Sequence, residues 1–432
     1  MKIAVIGGGG VRTPLLVNGL TQSDLPIDEI GLFDIDQKRL AIIGPLAATF
    51  AKSVRMYEDA AACVSGAAFV VVSIRVGGIA ARARDEAIAI AHGTVGQETV
   101  GPGGFAMAMR TVPRAIEYAR LIERAAPHAW TVNFTNPVGI VTQAMTTSSG
   151  ARAIGICDTP TELFADVARV LAIDPSTCYF DYFGLNHLGW LREVYCNGEP
   201  QLPRLWRDPR LLAQVYRAPL FDTAFLQRLR LLPTEYLFYY CSPEAALNNV
   251  RSAGATRGGA IAQLNETLFR DLAVAGNQGK QVYEKYLDAR SAGYMQIESG
   301  ASRPIARPAR DERADLTGYD KIALGVVRAI HFGSNAIIPL SVPNRGAIRS
   351  LEDGDVVEVP CVVDANGAHP LNVGPVPAPV RELLTRVKEY ERLTVDAASS
   401  GSHQAAERAL AVNPLVGSAR LARKLVQALQ PF

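Results

Sequence analysis

The chain has 432 residues, 48% of them hydrophobic and 20% charged, and 44 Lys and Arg against 42 Asp and Glu leave a formal net charge of +2. This length predicts about two or three folded units with a sizeable core, and the composition excludes a disordered or fibrous protein. Because no block of like charge is present, we expect neither nucleic acid nor a membrane surface as a partner.

The apolar segments and the cysteines bear on where the protein works. No apolar run approaches the roughly 18 residues of a membrane span, and the apolar start at residues 1–6 is too short for the core of a secretory signal. Scattered cysteines without paired spacing predict reduced thiols and a cytoplasmic location. The chain has six of them: Cys63, Cys157, Cys178, Cys196, Cys241 and Cys361.

Apolar runs of strand length alternate with amphipathic stretches of helical length in the first part of the chain. Strands that are apolar on both faces are typical of a parallel sheet covered by helices, so this part is predicted to be a doubly wound α/β unit. Strands are predicted at residues 2–6, 29–33, 68–73, 130–133 and 153–156, and two of the helices at 37–52 and 111–125.

Four consecutive glycines, Gly7, Gly8, Gly9 and Gly10, directly follow the first predicted strand, and a helical pattern begins near Thr13. Glycine lets the backbone approach a pyrophosphate closely, and the start of a helix favours negative charge. This arrangement predicts a dinucleotide-binding loop of the Rossmann type, although a glycine run after a strand can also be a simple tight turn.

Asp34 closes the second predicted strand, where an acidic residue accepts a hydrogen bond from the ribose 2′-hydroxyl of NAD and repels the extra phosphate of NADP. Val11 and Arg12 complete the predicted loop, and Arg12 stands where the usual fingerprint has its third glycine. The sequence therefore favours NAD as the dinucleotide.

The texture of the sequence changes after Asp181, where longer polar helical stretches begin. We predict a Rossmann-type NAD-binding domain at residues 1–185 and an α+β substrate domain at 186–432. Residues 298–315 have loop composition and are expected to be mobile. In the second domain, helices are predicted at 244–275 and 278–292, a strand at 356–363, and two helical segments from Pro379 onward.

Several polar clusters follow predicted strands, at the edge where an open parallel sheet binds its ligands. Each could be ordinary turn chemistry, since Gly, Asn, Asp and Pro are common loop residues, but their repetition at successive strand ends predicts one shared site. The clusters lie at residues 75–78, 96–104, 133–137, 155–160 and 184–188.

With these motifs the chain resembles glycoside hydrolase family 4, whose members are NAD- and metal-dependent glycosidases, and most closely the 6-phospho-β-glucosidases of that family. The family departs from the usual two-carboxylate chemistry of glycosidases. The resemblance covers nearly the whole chain and depends on residues 7–14, 34–36, 96–110, 133–137, 155–160, 182–187, 235–237 and 390–394.

The resemblance implies a fold like that of lactate and malate dehydrogenases, NAD as cofactor, and Mn²⁺ or another divalent metal held by Cys157 and His187. Taken alone, these two residues are weak evidence, because a buried Cys and a structural His are the commoner fates of such residues. Two protein ligands would leave metal positions open for substrate hydroxyls and water.

The implied reaction is a cycle of oxidation, elimination, addition and reduction, in which Tyr236 matches the base that removes the proton from C2 of the sugar. An ordinary tyrosine has a pKa of about 10, so Tyr236 would need the field of a metal or a cation to act near neutral pH. Tyr236, Tyr239 and Tyr240 are also helically spaced aromatics, a pattern typical of core packing.

Substrate contacts follow from the same resemblance. Arg82 and Arg257 match positions that contact the sugar phosphate or its neighbouring hydroxyls, and a nearly neutral protein must recognise phosphate through a few placed arginines. Asn136 matches a contact to a sugar hydroxyl, and Glu98 is expected to orient the water shell of the metal. Asp158 is expected to protonate the leaving oxygen or to bind a sugar hydroxyl.

The preferred anomer is read from conflicting residues. The residue after the metal cysteine is Asp158, as in the α-specific members, whereas the β-specific members often carry Asn there. The stretches 186–188 and 232–237 look more like those of the β members. We therefore expect hydrolysis of 6-phospho-β-glucosides, with 6-phospho-α-glucosides as the alternative.

Other activities stay open at the level of sequence: a family 4 enzyme acting on unphosphorylated or uronic glycosides, a 2-hydroxy-acid dehydrogenase, and a dinucleotide-sensing regulator without turnover. The expected partner is a small phosphorylated glycoside, and the resemblance suggests a homodimer or homotetramer.

Overall fold

A computed structural model of the chain describes residues 1–216, 218, 220–300 and 318–430. In this part of the chain thirteen strands join in one mixed sheet. The strands are β1 Lys2–Ile6, β2 Glu29–Phe33, β3 Val54–Tyr57, β4 Ala67–Val72, β5 Trp130–Asn133, β6 Arg152–Gly155, β7 Cys178–Leu185, β8 Leu188–Cys196, β9 Glu199–Pro200, β10 Leu232–Pro233, β11 Ala336–Pro343, β12 Val356–Asp364 and β13 Gly367–Pro370.

Helices flank this sheet and make up most of the C-terminal part. They are α1 Thr13–Thr21, α2 Gln37–Ala48, α3 Ala60–Val64, α4 Gly78–Ala91, α5 Gly101–Ala125, α6 Val138–Ser148, α7 Thr159–Leu171, α8 Pro203–Arg207, α9 Pro209–Leu212, α10 Thr223–Leu229, α11 Phe238–Cys241, α12 Pro243–Ala253, α13 Arg257–Leu272, α14 Gly279–Ala292, α15 Gln296–Ser299, α16 Gly318–Phe332, α17 Ala378–Ser400, α18 His403–Val412 and α19 Ala419–Leu429. Short 3₁₀ turns lie at Pro175–Thr177, Glu235–Leu237 and Gly276–Gln278.

Six parallel strands form the N-terminal half of the sheet in the order β3-β2-β1-β4-β5-β6. Neighbouring residues of β1 point to opposite faces, since Ile3 and Val5 enter one hydrophobic cluster while Ala4 and Ile6 enter another. Both faces are therefore covered, as in a doubly wound fold, and the predicted Rossmann-type architecture is confirmed.

The sheet continues beyond β6 without a break into antiparallel strands, in the order β11-β12-β7-β8-β10. The junction is a single bridge between Ser341 and Gly155. The carboxyl end of β6 thus lies beside the antiparallel strands, so residues that follow β6 can meet residues from the second half of the chain.

Most predicted elements are present, and the differences have local causes. The strand β3 was missed because its residues are at best half-buried and it has only four of them. The helix α5 begins at Gly101, ten residues before its predicted start, because Gly and Pro in its first turn concealed it. The predicted helix 244–275 is two helices, separated where Gly254 adopts a positive φ of 64°. Three C-terminal helices replace the two predicted.

The prediction that all cysteines are reduced is wrong for one pair, because Cys178 and Cys196 form a disulfide. They are 18 residues apart in sequence, but β7 and β8 form a hairpin in which they lie directly opposite each other. The other four, Cys63, Cys157, Cys241 and Cys361, are free thiols.

The predicted mobile loop 298–315 lies largely outside the described residues, which resume at residue 318. Within the residues that are described, no helix has the length and apolar character needed to cross a membrane.

Candidate active site

The glycine loop turns tightly between β1 and α1. The backbone N–H groups of Gly7 and Gly8 both donate to the carbonyl of Phe33, at 2.9 and 2.8 Å. Gly7 has a φ of 92°, and a Cβ there would lie 2.1 Å from the carbonyl oxygen of Ser73. Only glycine fits at this point, because any side chain would collide with the backbone that follows β4. Gly10 closes the turn by donating to the Gly7 carbonyl at 3.0 Å.

Asp34 is fixed to this loop. One carboxylate oxygen accepts from the N–H of Gly9 at 2.9 Å, and the other accepts from the N–H of Asp36 at 2.9 Å. Burial raises the pKa of Asp34 above its ordinary value, and these two backbone donors oppose that effect. The carboxylate therefore lies at the carboxyl end of β2, beside the glycines, where a ribose would be held.

The beginning of α1 is suited to a phosphate. Arg12 is the N-cap residue, and among the described residues no side chain caps the first turn. The positive end of the helix dipole favours an anion at a helix start. The hydroxyl of Tyr283, on α14, donates to the Val11 carbonyl at 2.6 Å and so fixes the loop from the C-terminal half.

The structure places Cys157 and His187 side by side. Cys157 follows β6, and His187 lies in the tight turn between β7 and β8 with a φ of 63°. The Sγ atom of Cys157 is 3.3 Å from Nε2 of His187, and the two side chains are only 1% and 3% exposed. Residues far apart in sequence are thus joined across the junction between the two halves of the sheet.

A hydrogen bond at Nδ1, the ring nitrogen that faces away from Cys157, orients the imidazole of His187. Nδ1 of His187 lies 2.6 Å from Oγ1 of Thr99, whose hydroxyl donates to Oε1 of Gln97 at 3.0 Å. Since a hydroxyl has a single hydrogen, Nδ1 must be the donor to Thr99, and the lone pair of Nε2 faces Cys157. Burial lowers the pKa of His187 to about 4, so the ring is neutral near neutral pH.

This pair has the chemistry of a divalent metal site. A neutral imidazole and a thiolate are established metal ligands, but burial raises the pKa of Cys157 well above its ordinary value, so a metal must displace its proton. Among the described residues no third His, Cys, Asp or Glu completes a ligand cluster. The donor set fits a metal that also binds substrate oxygens or water.

Tyr236 packs directly on this pair. Its ring is parallel to the imidazole of His187, with centroids 3.8 Å apart and planes inclined by 1°. Burial raises the pKa of Tyr236 well above its ordinary value, and the neighbouring Glu235 adds to this. The phenol is therefore both buried and next to the position that a metal would occupy.

Asp158 and Asn136 lie at neighbouring strand ends. Oδ1 of Asp158 is 4.0 Å from Sγ of Cys157, just before α7 begins. Asn136 follows β5 and precedes Pro137 through a cis peptide bond. Its Oδ1 is buried and has no hydrogen-bond partner among the described residues. An unsatisfied buried acceptor is costly, so this oxygen is suited to a ligand hydroxyl.

Arg82 is held in a buried ionic network. Its Nε donates to Glu86 at 2.7 Å and its Nη1 donates to Glu98 at 2.5 Å, while Arg75 binds the other oxygen of Glu98. Burial by itself raises the pKa of Glu98, but Arg75 and Arg82 outweigh it and hold this pKa well below its usual range. Glu98 therefore stays ionised and joins two arginines. Arg75 lies in one of the predicted polar clusters, but its role in this network was missed.

Arg257 begins α13 and is paired with a second arginine, which the sequence reading missed. Its Nη2 donates to the carbonyl of Arg290 at 2.6 Å, and Nη1 of Arg290 donates to the hydroxyl of Tyr286 at 3.0 Å. Burial lowers the pKa of both guanidinium groups. Two partly buried cations close together form a favourable place for a phosphate. No sequence signal marked Arg290, which lies within an ordinary helical pattern.

Comparison with known proteins shows the family to which the chain belongs. The model "Family 4 glycosyl hydrolase" matches residues 2–173, and the model of its C-terminal domain matches residues 182–416. A probable 6-phospho-beta-glucosidase of Bacillus subtilis is 31% identical, over 99% of this chain and 95% of that protein.

Solved structures give the same result. The 6-phospho-beta glucosidase of Thermotoga maritima, determined with manganese, NAD⁺ and glucose-6-phosphate, is 29% identical with a TM-score of 0.82, covering 99% of this chain and 97% of that one. A 6-phospho-alpha-glucosidase from gut microorganisms, in complex with NAD and Mn²⁺, is 28% identical with a TM-score of 0.78 and the same coverage. Cryptosporidium parvum malate dehydrogenase shares the fold, with a TM-score of 0.53 at 14% identity. The chain is a member of glycoside hydrolase family 4.

Proposed function

We propose that the protein hydrolyses 6-phospho-β-glucosides with NAD and a divalent metal, preferably Mn²⁺. The observation that carries the proposal is the stack of Tyr236 on His187, with Cys157 in contact, at the carboxyl end of the parallel strands. A dehydrogenase of the ordinary kind needs the dinucleotide loop. It does not need a metal-binding Cys–His pair packed against the buried phenol of Tyr236.

The cofactors are assigned to two groups of residues. Gly7, Gly8, Gly9 and Gly10, with Val11 and Arg12, would hold the pyrophosphate, and Asp34 the ribose. Cys157 and His187 would hold the metal, with Thr99 fixing the tautomer. When bound, NAD⁺ supplies reversible hydride transfer at C3 of the sugar, and the metal polarises the sugar oxygens.

The chain's own residues then divide the remaining work. Tyr236 would take the proton from C2, which a neighbouring ketone makes acidic. Asp158 would protonate the leaving oxygen, and the unsatisfied Oδ1 of Asn136 would accept from a sugar hydroxyl. Asp158 and Tyr236 both adjoin the Cys157–His187 pair, which supports their acting on one bound sugar.

Phosphate recognition is assigned to the arginines. Arg257 and Arg290 are neighbouring, partly buried cations whose pKa values are lowered by burial, so a bound anion would stabilise their charged forms. Arg82 is bound to Glu86 and Glu98 and would act from within that network on the sugar or its phosphate. Glu98, locked between arginines, is better suited to hold them than to orient metal-bound water.

The second candidate is hydrolysis of 6-phospho-α-glucosides. Asp158 beside the metal cysteine favours it, since the α-specific members carry Asp there, and the family's α and β enzymes are similarly close to this chain. Family members acting on unphosphorylated or uronic glycosides lack an obvious need for the Arg257–Arg290 pair.

We also propose a cytoplasmic location, domains at 1–185 and 186–432, and a homodimer or homotetramer.

One panel of substrates tests the proposal. Aryl α- and β-glucosides, each with and without a 6-phosphate, are assayed with NAD⁺, Mn²⁺ and reductant, and then with each component omitted. We expect cleavage of the phosphorylated β-glucoside alone, with deuterium from the solvent incorporated at C2. Cleavage without NAD⁺ or metal would disprove the mechanism, and preference for the α-glucoside would establish the second candidate. Net accumulation of NADH would indicate a dehydrogenase.

A further inference from the structure

Tyr294, in the segment between α14 and α15, connects Tyr236 to a carboxylate. Its hydroxyl donates to Oε1 of Glu235, and its oxygen lies 3.4 Å from the hydroxyl oxygen of Tyr236. A hydroxyl group has one hydrogen to donate. When Tyr294 donates to Glu235, the hydrogen between the two tyrosines must therefore come from Tyr236. The three side chains form a continuous line from Tyr236 through Tyr294 to Glu235.

This line of hydrogen bonds runs from the buried Cys157–His187 pair to an open cleft. At one end, Tyr236 is stacked on His187 and is only 8% exposed. At the other end, Glu235 and Tyr294 are partly exposed and line a cleft, together with Thr159 and Tyr216 among others. A proton that reaches Glu235 is thus at a surface that solvent can enter, whereas Tyr236 is enclosed.

We propose that Tyr294 and Glu235 are the proton outlet of Tyr236. The hydroxyl proton of Tyr236 passes to the oxygen of Tyr294 while the proton of Tyr294 passes to Glu235. This leaves Tyr236 as a phenolate, Tyr294 neutral and Glu235 as a carboxylic acid. The phenolate then takes the C2 proton, and Glu235 returns its proton to water in the cleft. The inference rests on the proposed function, in which Tyr236 is the C2 base.

Charge conservation is the physical reason for such an outlet. Forming a phenolate in a buried site by loss of a proton to bulk water creates a new charge, which is costly. Moving the proton to Glu235 relocates an existing negative charge and leaves the net charge of the site unchanged.

The test separates the C2 proton from the other steps. Tyr294→Phe removes the relay hydroxyl, and Glu235→Gln keeps an acceptor that cannot take a proton. Tyr239→Phe is the matched control, because it removes a buried hydroxyl that contacts Sδ of Met295 instead. Each variant is assayed for deuterium exchange at C2 and for single-turnover reduction of NAD⁺. Thermal unfolding and calorimetric binding of glucose 6-phosphate report on the fold and site.

We expect both relay variants to lose about 100-fold or more in C2 exchange, the usual scale of general base catalysis. NAD⁺ reduction, sugar binding and the unfolding midpoint should stay close to those of the parent protein. Tyr239→Phe should keep all four properties.

Three results would count against these assignments. If the parent protein itself shows no C2 exchange, the proposed function fails, and the outlet with it. If the parent exchanges and Tyr294→Phe or Glu235→Gln exchanges as fast, the outlet is wrong while the function stands. If Tyr294→Phe loses NAD⁺ reduction or sugar binding together with exchange, Tyr294 only maintains the site and the outlet is again wrong.

Discussion

The dinucleotide loop and the metal-binding pair, Cys157 and His187, lie at the same edge of the sheet but are built in different ways. The loop comes from consecutive glycines and acts through its backbone: Gly7 and Gly8 donate to the Phe33 carbonyl at the end of β2, and Gly7 packs against the Ser73 carbonyl after β4. The metal-binding pair comes from Cys157, after the parallel strand β6, and His187, between the antiparallel strands β7 and β8, and it acts through side chains. A local backbone site depends on conformation, whereas a site assembled from distant side chains depends on the support around each of them.

The largest effect on activity is expected when one of the two metal-binding residues, Cys157 or His187, is replaced. Cys157→Ser keeps the size of the side chain but replaces a soft thiolate with a hydroxyl, a poor metal ligand. We expect a loss of at least about 10³-fold in kcat/KM, in line with the loss of a Lewis acid that stabilises developing charge. The measurement is hydrolysis across a Mn²⁺ titration. Cys361→Ser, another buried thiol, is the control and should retain activity. Equal activity of both variants would remove Cys157 from the site.

The loop should respond to a change in backbone freedom alone. Gly7→Ala adds one methyl group at a φ of 92°, 2.1 Å from the Ser73 carbonyl, so the turn must distort. We expect NAD affinity to fall by about 100-fold and the free energy of unfolding by about 2 kcal/mol. Titration calorimetry and chemical denaturation provide these values. Gly66→Ala, which also has a positive φ but open space around its Cβ, is the control for strain without collision. If Gly7→Ala binds NAD no worse than Gly66→Ala, the loop is not built as described.

Asp34→Asn tests how far the loop depends on one charge. The amide oxygen can still accept from the N–H of Gly9, but the amide NH₂ cannot accept from the N–H of Asp36, so one loop hydrogen bond is lost together with the repulsion of a 2′-phosphate. We expect NAD affinity to fall by about tenfold and the preference for NAD over NADP to shrink by about the same factor. Fluorescence titration with both dinucleotides measures the ratio, and an unchanged ratio would contradict the assignment of Asp34 to the ribose.

Thr99→Val tests how far the metal-binding pair depends on the side chains that support it. It removes the hydroxyl that fixes the tautomer of His187 while keeping the shape of the side chain. Support groups of this kind typically contribute about 10- to 100-fold to metal affinity, and we expect a loss near the lower value. Thr161→Val, whose hydroxyl donates to the Asp158 carbonyl, is the control for loss of a nearby hydroxyl. Isothermal titration with Mn²⁺ decides the matter, and equal affinities would show that Thr99 does not act through His187.

A separate prediction concerns the effect of pH on stability rather than on binding. The pKa of His187 is lowered by burial to about 4 in the folded protein, against an ordinary value of about 6.5 when unfolded. Between these values the unfolded chain binds more protons, so stability is complete above pH 6.5 and falls as the pH drops toward 4. We expect this residue to account for about 3 kcal/mol across that window in the metal-free protein. Denaturation series with His187→Gln should show a flatter dependence, and parallel curves would refute the link.

The same contrast explains what the sequence could predict. The parallel strands are apolar on both faces and the glycine loop is contiguous, so both could be read from local pattern. The strand β3 was missed because half of its residues are exposed. Cys157, His187 and Tyr236 could be proposed only through resemblance to a family, since nothing local marks them. Thr99, Arg290 and Tyr294 acquire their roles from contacts between distant segments, and no spacing along the chain encodes those contacts.

The disulfide between Cys178 and Cys196 has a practical consequence for preparing the enzyme. It joins the open end of the hairpin whose tight turn carries His187, and both of its cysteines are partly exposed, whereas Cys157 is buried. Reductant added to protect the metal thiolate therefore reaches the hairpin bridge first. A reductant concentration that keeps Cys157 as a thiol therefore also favours opening of the Cys178–Cys196 disulfide. Activity and shelf stability should thus have different optimal reductant concentrations.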